Sequence, residues 1–465
     1  MSDIRQRFLR LASFVSPKLS YRSSRNPILF EKRSPGRYYM SDTANHRKPK
    51  SLFEERDKGG DTHITVEESP KPNKEEASLS FFSNIIFHVS LCGKHFFELI
   101  IFLRNCTSTW LYVLGKLILF TVILLPGWIR MLWYYFFHPS VLKNIPFGKG
   151  VKFRNLLDVY LPQPLLNKET ASPVIVFVSG GAWIIGYKLW GCLVARAFSL
   201  MGCLVITPDY RNFPQGRLSD MKEDIREAIL WTKSNCASFG GDVDNIILIG
   251  QSAGAHISLS LLIDEHLRKE KAAAADSARV FLDDAVIKMC IGISGPYNLV
   301  ALESHLHARG LDASLLKWVC DNDLKAHSPY LALQNFVSFK GFPQLALVHG
   351  SSDKTIPYSE STDLANLCSI LKWEKPVETH ILSGWSHTDA ILEGPMTGDF
   401  RSVEGIVDII KGRAFNGDQK SSKESARFKH VNGEGFYEHF KKSNGQDRAF
   451  VPRWLGMIAR KINPF

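Results

Sequence analysis

The chain has 465 residues, of which 45% are hydrophobic and 22% charged, enough apolar material for one large folded domain with appendages or for two domains. Its formal net charge of +11 would suit nucleic acid or an anionic membrane, but no nucleic-acid recognition motif accompanies the charge, so we expect no nucleic-acid partner. The eight cysteines form no C-x-x-C pair and no cluster of metal ligands is visible, which argues against a disulfide scaffold and predicts no metal site.

Residues 1–78 are polar and basic, and they show no sustained hydrophobic periodicity. Such a composition buries too little apolar surface to fold alone, so we predict a disordered N-terminal region. The stretch RQRFLRLASF is also compatible with a short presequence helix that lacks acidic residues.

Residues 79–138 are strongly apolar and aromatic. Within them, residues 110–129 carry only Lys116 as a charge over about the 20 residues that cross a bilayer. The MLWYYFF that follows is typical of the aromatic belt at a membrane interface. We therefore predict a membrane-associated segment with its best span at 110–129, a buried core helix being the alternative. Residues 80–103 are a candidate second span or interfacial helix, and the flanking lysines and arginines do not fix the orientation.

From residue 139 to 415, apolar β-branched runs alternate with helical stretches. Nearly continuous apolar strands must be covered on both faces, which predicts a mostly parallel sheet with helices on each side, an α/β fold. The predicted strands lie in SPVIVFVSG, CLVITPDY, NIILIG, VIKMCIGISG, QLALVHG and VETHILSG.

The chain ends in two further segments, a polar linker or loop over 416–448 and an amphipathic helix over 449–465. We expect the apolar face of that helix to dock on the catalytic domain; lying on a membrane is the alternative. The residues of this face are Trp454, Leu455, Ile458 and Ile462.

The stretch IILIGQSAGAH joins an apolar strand to a helical pattern through Ser252, which stands between two glycines. GQSAG fits G-x-S-x-G, and in a strand–turn–helix context this motif is a nucleophile elbow. The turn is so sharp that neighbouring backbone leaves no room for side chains at the glycine positions. The pattern predicts that Ser252 is a nucleophile.

A serine hydroxyl needs a general base, and the base needs an orienting acid. Asp353 follows one later strand and His387 follows the next, so we predict Asp353 as the acid and His387 as the base. Asp389 is the alternative acid. His256, one turn along the helix from the serine, and His349, at a strand end, are expected to be packed rather than catalytic.

The glycine-rich loop VSGGAW follows the first strong strand of this domain. Its backbone N–H groups are placed to stabilise the oxyanion that forms when a serine attacks a carbonyl group. This stabilisation is often the largest electrostatic contribution to acyl-transfer catalysis. We predict that donors from Gly180, Gly181 or Ala182 form the oxyanion hole together with the N–H of Ala253.

Several longer motifs resemble one family, the isoprenylcysteine methylesterases, which are α/β-hydrolases similar to carboxylesterases. The motifs are SGGAWIIGYKLWG, DYRNFPQG, SDM, FGGD, GQSAGAHI, SGPYNL, LLPGWIRMLWYYFF and VPRWL with INPF. The resemblance covers roughly residues 105–465 and leaves the first hundred outside. Ser179 departs from the pattern of hormone-sensitive-lipase-like esterases, which carry histidine before the glycines.

The resemblance implies a triad of Ser252, Asp353 and His387, with the Gly180–Ala182 loop and Gln251–Ala253 around the substrate carbonyl. It implies hydrolysis of the methyl ester of a prenylated cysteine, or of a prenylated protein C-terminus, without a cofactor. It also implies residence in endoplasmic reticulum and Golgi membranes, and we expect the catalytic domain to face the cytosol.

A membrane anchor beside an esterase site favours substrates that partition into lipid. Residues 301–324 are predicted to form a helical cap whose apolar side chains line a prenyl channel or simply pack against the body. Those side chains are Leu302, Leu306, Leu311, Leu315, Leu316 and Trp318. Two alternatives remain: a broad carboxylesterase or arylformamidase-like hydrolase, and a non-catalytic receptor, which would normally lack a triad member.

Overall fold

The computed structural model describes residues 110–148, 154–163, 171–275, 286–309, 311–336, 341–373, 377–410 and 449–463, with residues 90, 93, 97, 100, 101 and 104. Elements are numbered along these ranges. Every element named below belongs to a single compact unit of the chain. The predicted disordered region over 1–78 and the predicted linker over 416–448 lie outside the described residues.

Eight strands of the described ranges form one sheet in the order β1-β2-β4-β3-β5-β6-β7-β8. The strands are β1 (Val141–Pro146), β2 (Leu156–Tyr160), β3 (Ser172–Val178), β4 (Leu204–Pro208), β5 (Gly241–Gln251), β6 (Ile287–Ile293), β7 (Gln344–Gly350) and β8 (Glu378–Leu382). The β1–β2 and β2–β4 pairs are antiparallel, and all the others are parallel. The prediction of a mostly parallel sheet is confirmed.

Helices connect these strands and cover the sheet. They are α3 (Cys192–Leu200), α4 (Leu218–Asn235), α5 (Ala253–Ala275), α6 (Leu299–Ala308), α7 (Ser314–Val319), α8 (Pro329–Leu333), α9 (Ser359–Ile370), α10 (Glu393–Thr397) and α11 (Arg401–Ile410). Helix α3 packs on β4, α5 on β5 and β6, and α9 on β7 and β8. Because successive side chains of a strand point to opposite faces, the uninterrupted burial along β4 shows that both faces of the sheet are covered there.

The strand register brings several strand ends to one edge of the sheet. Val178 pairs with Gly250, and Gln251 pairs with Ile293, so the loops after β3, β5 and β6 leave the sheet side by side. Ligands of α/β sheets bind at the carboxyl ends of the strands. The predicted site residues follow these ends.

The predicted span at 110–129 is two helices, α1 (Trp110–Ile123) and α2 (Leu125–Phe137), bent by 65° at Leu124. Pro126 lies in the first turn of α2 and has no N–H to donate to the preceding turn, which explains the break. Among the described residues no single helix is long and apolar enough to cross a bilayer, whereas the bent pair meets that test by length and composition.

Helix α2 is tied to the body through a buried polar cluster. The Tyr135 hydroxyl donates to Asp158 Oδ2 at 2.7 Å, and the fully buried Lys188 ammonium pairs with the same carboxylate. Tyr135 is fully buried, whereas Trp133 and Phe137 on the same helix are exposed. The aromatic cluster predicted as a membrane belt is therefore divided between the protein body and the outer surface.

The C-terminal helix α12 (Arg453–Ile462) packs against α1 and α10. Its docking face differs from the predicted one. Gly456 and Ala459 are buried, and a Cβ at Gly456 would lie 2.2 Å from Thr397 Cγ2, so close approach requires glycine there. Of the four residues predicted to pack inward, Trp454 and Ile458 are 58% and 42% exposed, whereas Leu455 and Ile462 are half-buried. The small residues provide the closest contact, and only part of the apolar stripe faces the protein body.

The segment predicted as a helical cap forms two helices, α6 and α7. Leu302, Leu315 and Leu316 are buried in the protein body, as the packing alternative predicts. The other three candidates for a prenyl channel are partly exposed, namely Leu306, Leu311 and Trp318.

Candidate active site

Ser252 forms the turn between β5 and α5 and adopts a left-handed backbone conformation with φ +53°. This conformation is strained for a side-chain-bearing residue and is held by surrounding contacts. A Cβ on Gly250 would lie 2.4 Å from the Gly254 carbonyl oxygen, and one on Gly254 would lie 2.2 Å from the Val178 carbonyl oxygen. Both glycines of the motif are thus required by close backbone approach, as the sequence predicts.

Asp353 and His387, predicted from separate loops, are hydrogen bonded. His387 Nδ1 lies 2.7 Å from Asp353 Oδ2. The other carboxylate oxygen, Oδ1, accepts from the backbone N–H groups of Thr355 and Ile356 at 2.8 and 2.9 Å. The turn therefore orients the carboxylate, and the carboxylate orients the imidazole.

The Asp353 carboxylate is strongly favoured in its ionised form. Burial alone would raise its pKa, but the neighbouring His387 and then the His349 hydrogen bond outweigh burial and hold the pKa well below its ordinary value. Asp353 is thus a fixed negative charge beside the imidazole at any pH near neutrality.

His349 is a supporting residue that sequence reasoning placed only as a packed histidine. It is fully buried, its Nε2 donates to the Ile356 carbonyl at 3.0 Å, and the same atom lies 3.2 Å from Asp353 Oδ2. Its Nδ1 lies 2.8 Å from the Ser361 hydroxyl. His349 therefore fixes the loop that carries Asp353. Its position four residues before that aspartate, at a strand end, was the available signal.

Gln251 contacts His387 from the other side. The Gln251 side-chain amide lies 3.5 Å from His387 Nε2 and donates to the His387 carbonyl oxygen at 3.3 Å. Since Nδ1 faces Asp353, Nε2 is the nitrogen available to a nucleophile. Ser252 itself is 8% exposed, and catalytic hydrogen bonds often tighten only when substrate binds.

The loop after β3 lies against the elbow. A Cβ on Gly180 would lie 2.9 Å from Ser252 Cβ, so this position must be glycine. Gly181, Ala182 and Trp183 all have positive φ values, of 131°, 48° and 61°. Ala253 is the first residue of α5, where N–H groups lack partners inside the helix. The predicted oxyanion donors therefore border the serine on two sides.

His256 is excluded as the base by its contacts. Trp183 Nε1 donates to its Nδ1 at 3.3 Å, and its Nε2 donates to the His327 carbonyl at 2.8 Å. Complete burial lowers the pKa of His256 to about 3, so the ring is neutral. Its role is to hold the indole of Trp183, next to the predicted oxyanion loop.

Asp389, the alternative acid, has other partners. Its Oδ2 accepts from the Ser386 backbone N–H at 2.7 Å, and its Oδ1 accepts from Arg460 Nε. It thus caps the loop that precedes His387.

No group of three or more potential metal ligands lies together within the described ranges. The six cysteines that these ranges include are free, buried thiols at positions 192, 203, 236, 290, 320 and 368.

Comparison with known proteins extends these observations. The BD-FAE family matches residues 157–367, which include the elbow and the Asp353 loop. The isoprenylcysteine alpha-carbonyl methylesterase ICME of Arabidopsis thaliana is 34% identical over 77% of this chain and 77% of its own length. A rice protein (Oryza sativa subsp. japonica), described as a "probable isoprenylcysteine alpha-carbonyl methylesterase", is 32% identical over 77% of this chain and 80% of its own length. The chain belongs to the isoprenylcysteine alpha-carbonyl methylesterase family.

More distant matches also carry esterase names. Esterase LipC of Mycobacterium tuberculosis is 26% identical over 52% of this chain and 59% of its own length. Among solved structures, esterase B from Lactobacillus rhamnosis aligns with a TM-score of 0.49 and 16% identity, over 64% of this chain and 95% of that one. Membership of the methylesterase family identifies the chain as a carboxylic ester hydrolase with an α/β-hydrolase fold.

Proposed function

We propose that this chain hydrolyses the methyl ester of prenylated cysteine through a triad of Ser252, His387 and Asp353. The single observation that carries the proposal is the Asp353–His387 hydrogen bond, formed at the edge of the sheet where the Ser252 elbow also lies. The names of the relatives supply the substrate class.

In the first half of the reaction, Ser252 Oγ attacks the ester carbonyl while His387 Nε2 accepts the hydroxyl proton. The oxyanion that forms is stabilised by the N–H of Ala253 and by N–H groups of the Gly180–Ala182 loop. As the C–OCH₃ bond breaks, His387 returns its proton to the methoxide oxygen. Methanol leaves, and the prenylcysteine acyl group remains on the serine.

In the second half, His387 removes a proton from water, which attacks the acyl carbonyl. Collapse of the second tetrahedral intermediate releases the free carboxylate and restores the Ser252 hydroxyl. Asp353 remains ionised throughout, because its pKa is well below the ordinary value, and it stabilises the imidazolium in both halves. The chemistry requires no cofactor.

The proposal includes a membrane contact made by α1, α2 and α12. Most large apolar side chains that are exposed within the described ranges lie on these three helices. They are Leu111, Tyr112, Ile118, Leu119, Val122, Leu125, Ile129, Leu132, Trp133 and Phe137 on α1 and α2, and Trp454, Met457 and Ile458 on α12. An apolar surface of this extent is typical of a membrane or partner contact.

Basic side chains accompany this surface, which favours the anionic face of a bilayer. Arg130 on α2, and Arg453 and Lys461 on α12, are exposed. We extend the proposal to residence in endoplasmic reticulum and Golgi membranes, which the resemblance implies, and to a catalytic domain that faces the cytosol. A prenyl chain that partitions into the same bilayer would reach the site without leaving lipid.

Doxyl-labelled lipids test the membrane contact. Val122→Cys on α1 and Ile458→Cys on α12, each carrying a fluorescent label, are expected to be strongly quenched in vesicles. Ile370→Cys is the matched control, since Ile370 is 76% exposed but lies on α9, away from these helices. Equal quenching at all three positions, or none at 122 and 458, would contradict the membrane contact.

A comparison of substrates tests the proposed specificity. Burial of five prenyl carbons at ~0.8 kcal/mol each predicts that kcat/KM for farnesylcysteine methyl ester exceeds that for cysteine methyl ester by about 10³-fold. Leu306, Leu311 and Trp318, which are only partly buried, are candidate contacts of the chain. Equal kcat/KM values would instead indicate a broad carboxylesterase, and preference for an aryl formamide would indicate an arylformamidase-like enzyme.

A further inference from the structure

We propose that Arg460 and Asn463, at the end of α12, are positioning residues that hold the loop carrying His387. The inference rests on the proposed role of His387 as the base. It assigns a function in the active site to the extreme C-terminus, which lies more than seventy residues from that histidine in sequence.

Asn463 reaches the His387 loop on both flanks of the histidine. Its side-chain amide donates to Thr388 Oγ1 at 2.8 Å and to Ser386 Oγ at 3.3 Å, and it also donates to Glu393 Oε1. Asn463 is 5% exposed and Glu393 is fully buried. One amide therefore connects the residues immediately before and after His387 to the start of α10.

Arg460 acts on the same loop one helical turn earlier. Its Nε donates to Asp389, whose other carboxylate oxygen accepts the Ser386 backbone N–H at 2.7 Å. Its guanidinium also lies 5.8 Å from the centre of the Trp385 ring. One helix, α12, thus contacts the loop from 385 to 389 through both Arg460 and Asn463. We call these the rear contacts of the loop.

The charges explain why these two side chains are needed. Burial, and then the charge of Asp389, raises the pKa of Glu393 to about 7, whereas Arg460 lowers it. Two buried carboxyl groups beside one loop are costly to hold together unless a cation and hydrogen-bond donors compensate them. Without Arg460 and Asn463, the loop would relax away from this arrangement.

The front of the loop is held separately. Gln251 donates to the His387 carbonyl, and Asp353 accepts from the His387 ring. Loss of the rear contacts would therefore leave these two hydrogen bonds in place but let the backbone of the loop shift, and the imidazole shift with it. A displacement of about 1 Å at a catalytic group can cost about 10²-fold in rate.

The test compares Asn463→Ala and Arg460→Met with Asn366→Ala, which changes an exposed asparagine of α9. Active sites are titrated with a fluorophosphonate, so that kcat is expressed per functional serine. We expect kcat to fall about 10- to 100-fold at unchanged KM, with an equal fall in the rate constant of serine phosphonylation. Asn366→Ala should match wild type, and Arg460→Lys, which restores a cation towards Asp389, should recover most of kcat.

A purely structural role would lower the amount of folded protein or its melting temperature but leave kcat per titrated site within twofold of wild type. That result, or a rise in KM alone, would overturn the inference. Failure of the proposed function has a different signature, since it would appear as persistent turnover in Ser252→Ala in the same assay, whatever the α12 variants do.

Discussion

Ser252→Ala is expected to lower kcat by about 10⁴- to 10⁶-fold while leaving KM within a few-fold of wild type. The substitution removes the attacking oxygen but leaves the oxyanion donors and the substrate surface, which account for the residual rate. Initial rates with a short aryl ester, referred to titrated active sites in the wild type, measure the loss.

Ser258, on the helix that follows Ser252, supplies a matched control. It is fully buried, and its hydroxyl has no hydrogen-bond partner among the described residues, so Ser258→Ala should preserve both folding and turnover. More than about 1% of wild-type kcat in Ser252→Ala, with Ser258→Ala unchanged, would exclude Ser252 as the nucleophile.

The second large effect is expected at Asp353. Asp353→Asn keeps the shape of the side chain but removes the negative charge and favours the wrong imidazole tautomer, which costs about 10⁴-fold in kcat in the serine-protease triad from which this expectation is taken. Steady-state kinetics at saturating substrate measure the effect. Asp389→Asn serves as the comparison, because Asp389 contacts Arg460 and Ser386 rather than the His387 ring.

We expect Asp389→Asn to lose no more than about 10²-fold, through displacement of the loop. A larger loss of kcat in Asp389→Asn than in Asp353→Asn would instead assign the acid to Asp389.

The pH dependence of activity gives a further test of the role of Asp353. The pKa of Asp353 in the folded state lies below its unfolded value of about 3.9. The ionised carboxylate therefore stabilises the folded state fully at every pH above that unfolded value. That stabilisation is lost only as pH falls through the lowered pKa, so an activity loss between pH 5 and 7 cannot come from Asp353.

The elbow and the order of the site residues could be predicted because they are local signals. A strand, a serine between glycines and a helix are adjacent in sequence, and Asp353 and His387 each follow a recognisable strand. The parallel register then brings these strand ends to one edge without further information. The resemblance to methylesterases rested on the same stretches.

Other features depend on contacts between distant segments, which carry no local pattern. The Trp183–His256 hydrogen bond joins residues that are 73 positions apart in sequence, and Asn463 contacts Ser386 at a separation of 77 positions. The docking face of α12 was predicted only in part, because apolar periodicity does not show that the small residues Gly456 and Ala459 make the closest contact and leave Trp454 and Ile458 exposed. The break in the predicted span did have a signal, since Pro126 is visible in the sequence.

The most direct measurement of the central claim uses membranes that contain either the wild-type chain or Ser252→Ala, each incubated with farnesylcysteine methyl ester. Mass spectrometry then quantifies free farnesylcysteine and methanol. We predict that equal amounts of the two products appear with the wild type and that neither exceeds background with the variant. Equal product from both membranes would contradict a serine esterase mechanism at Ser252.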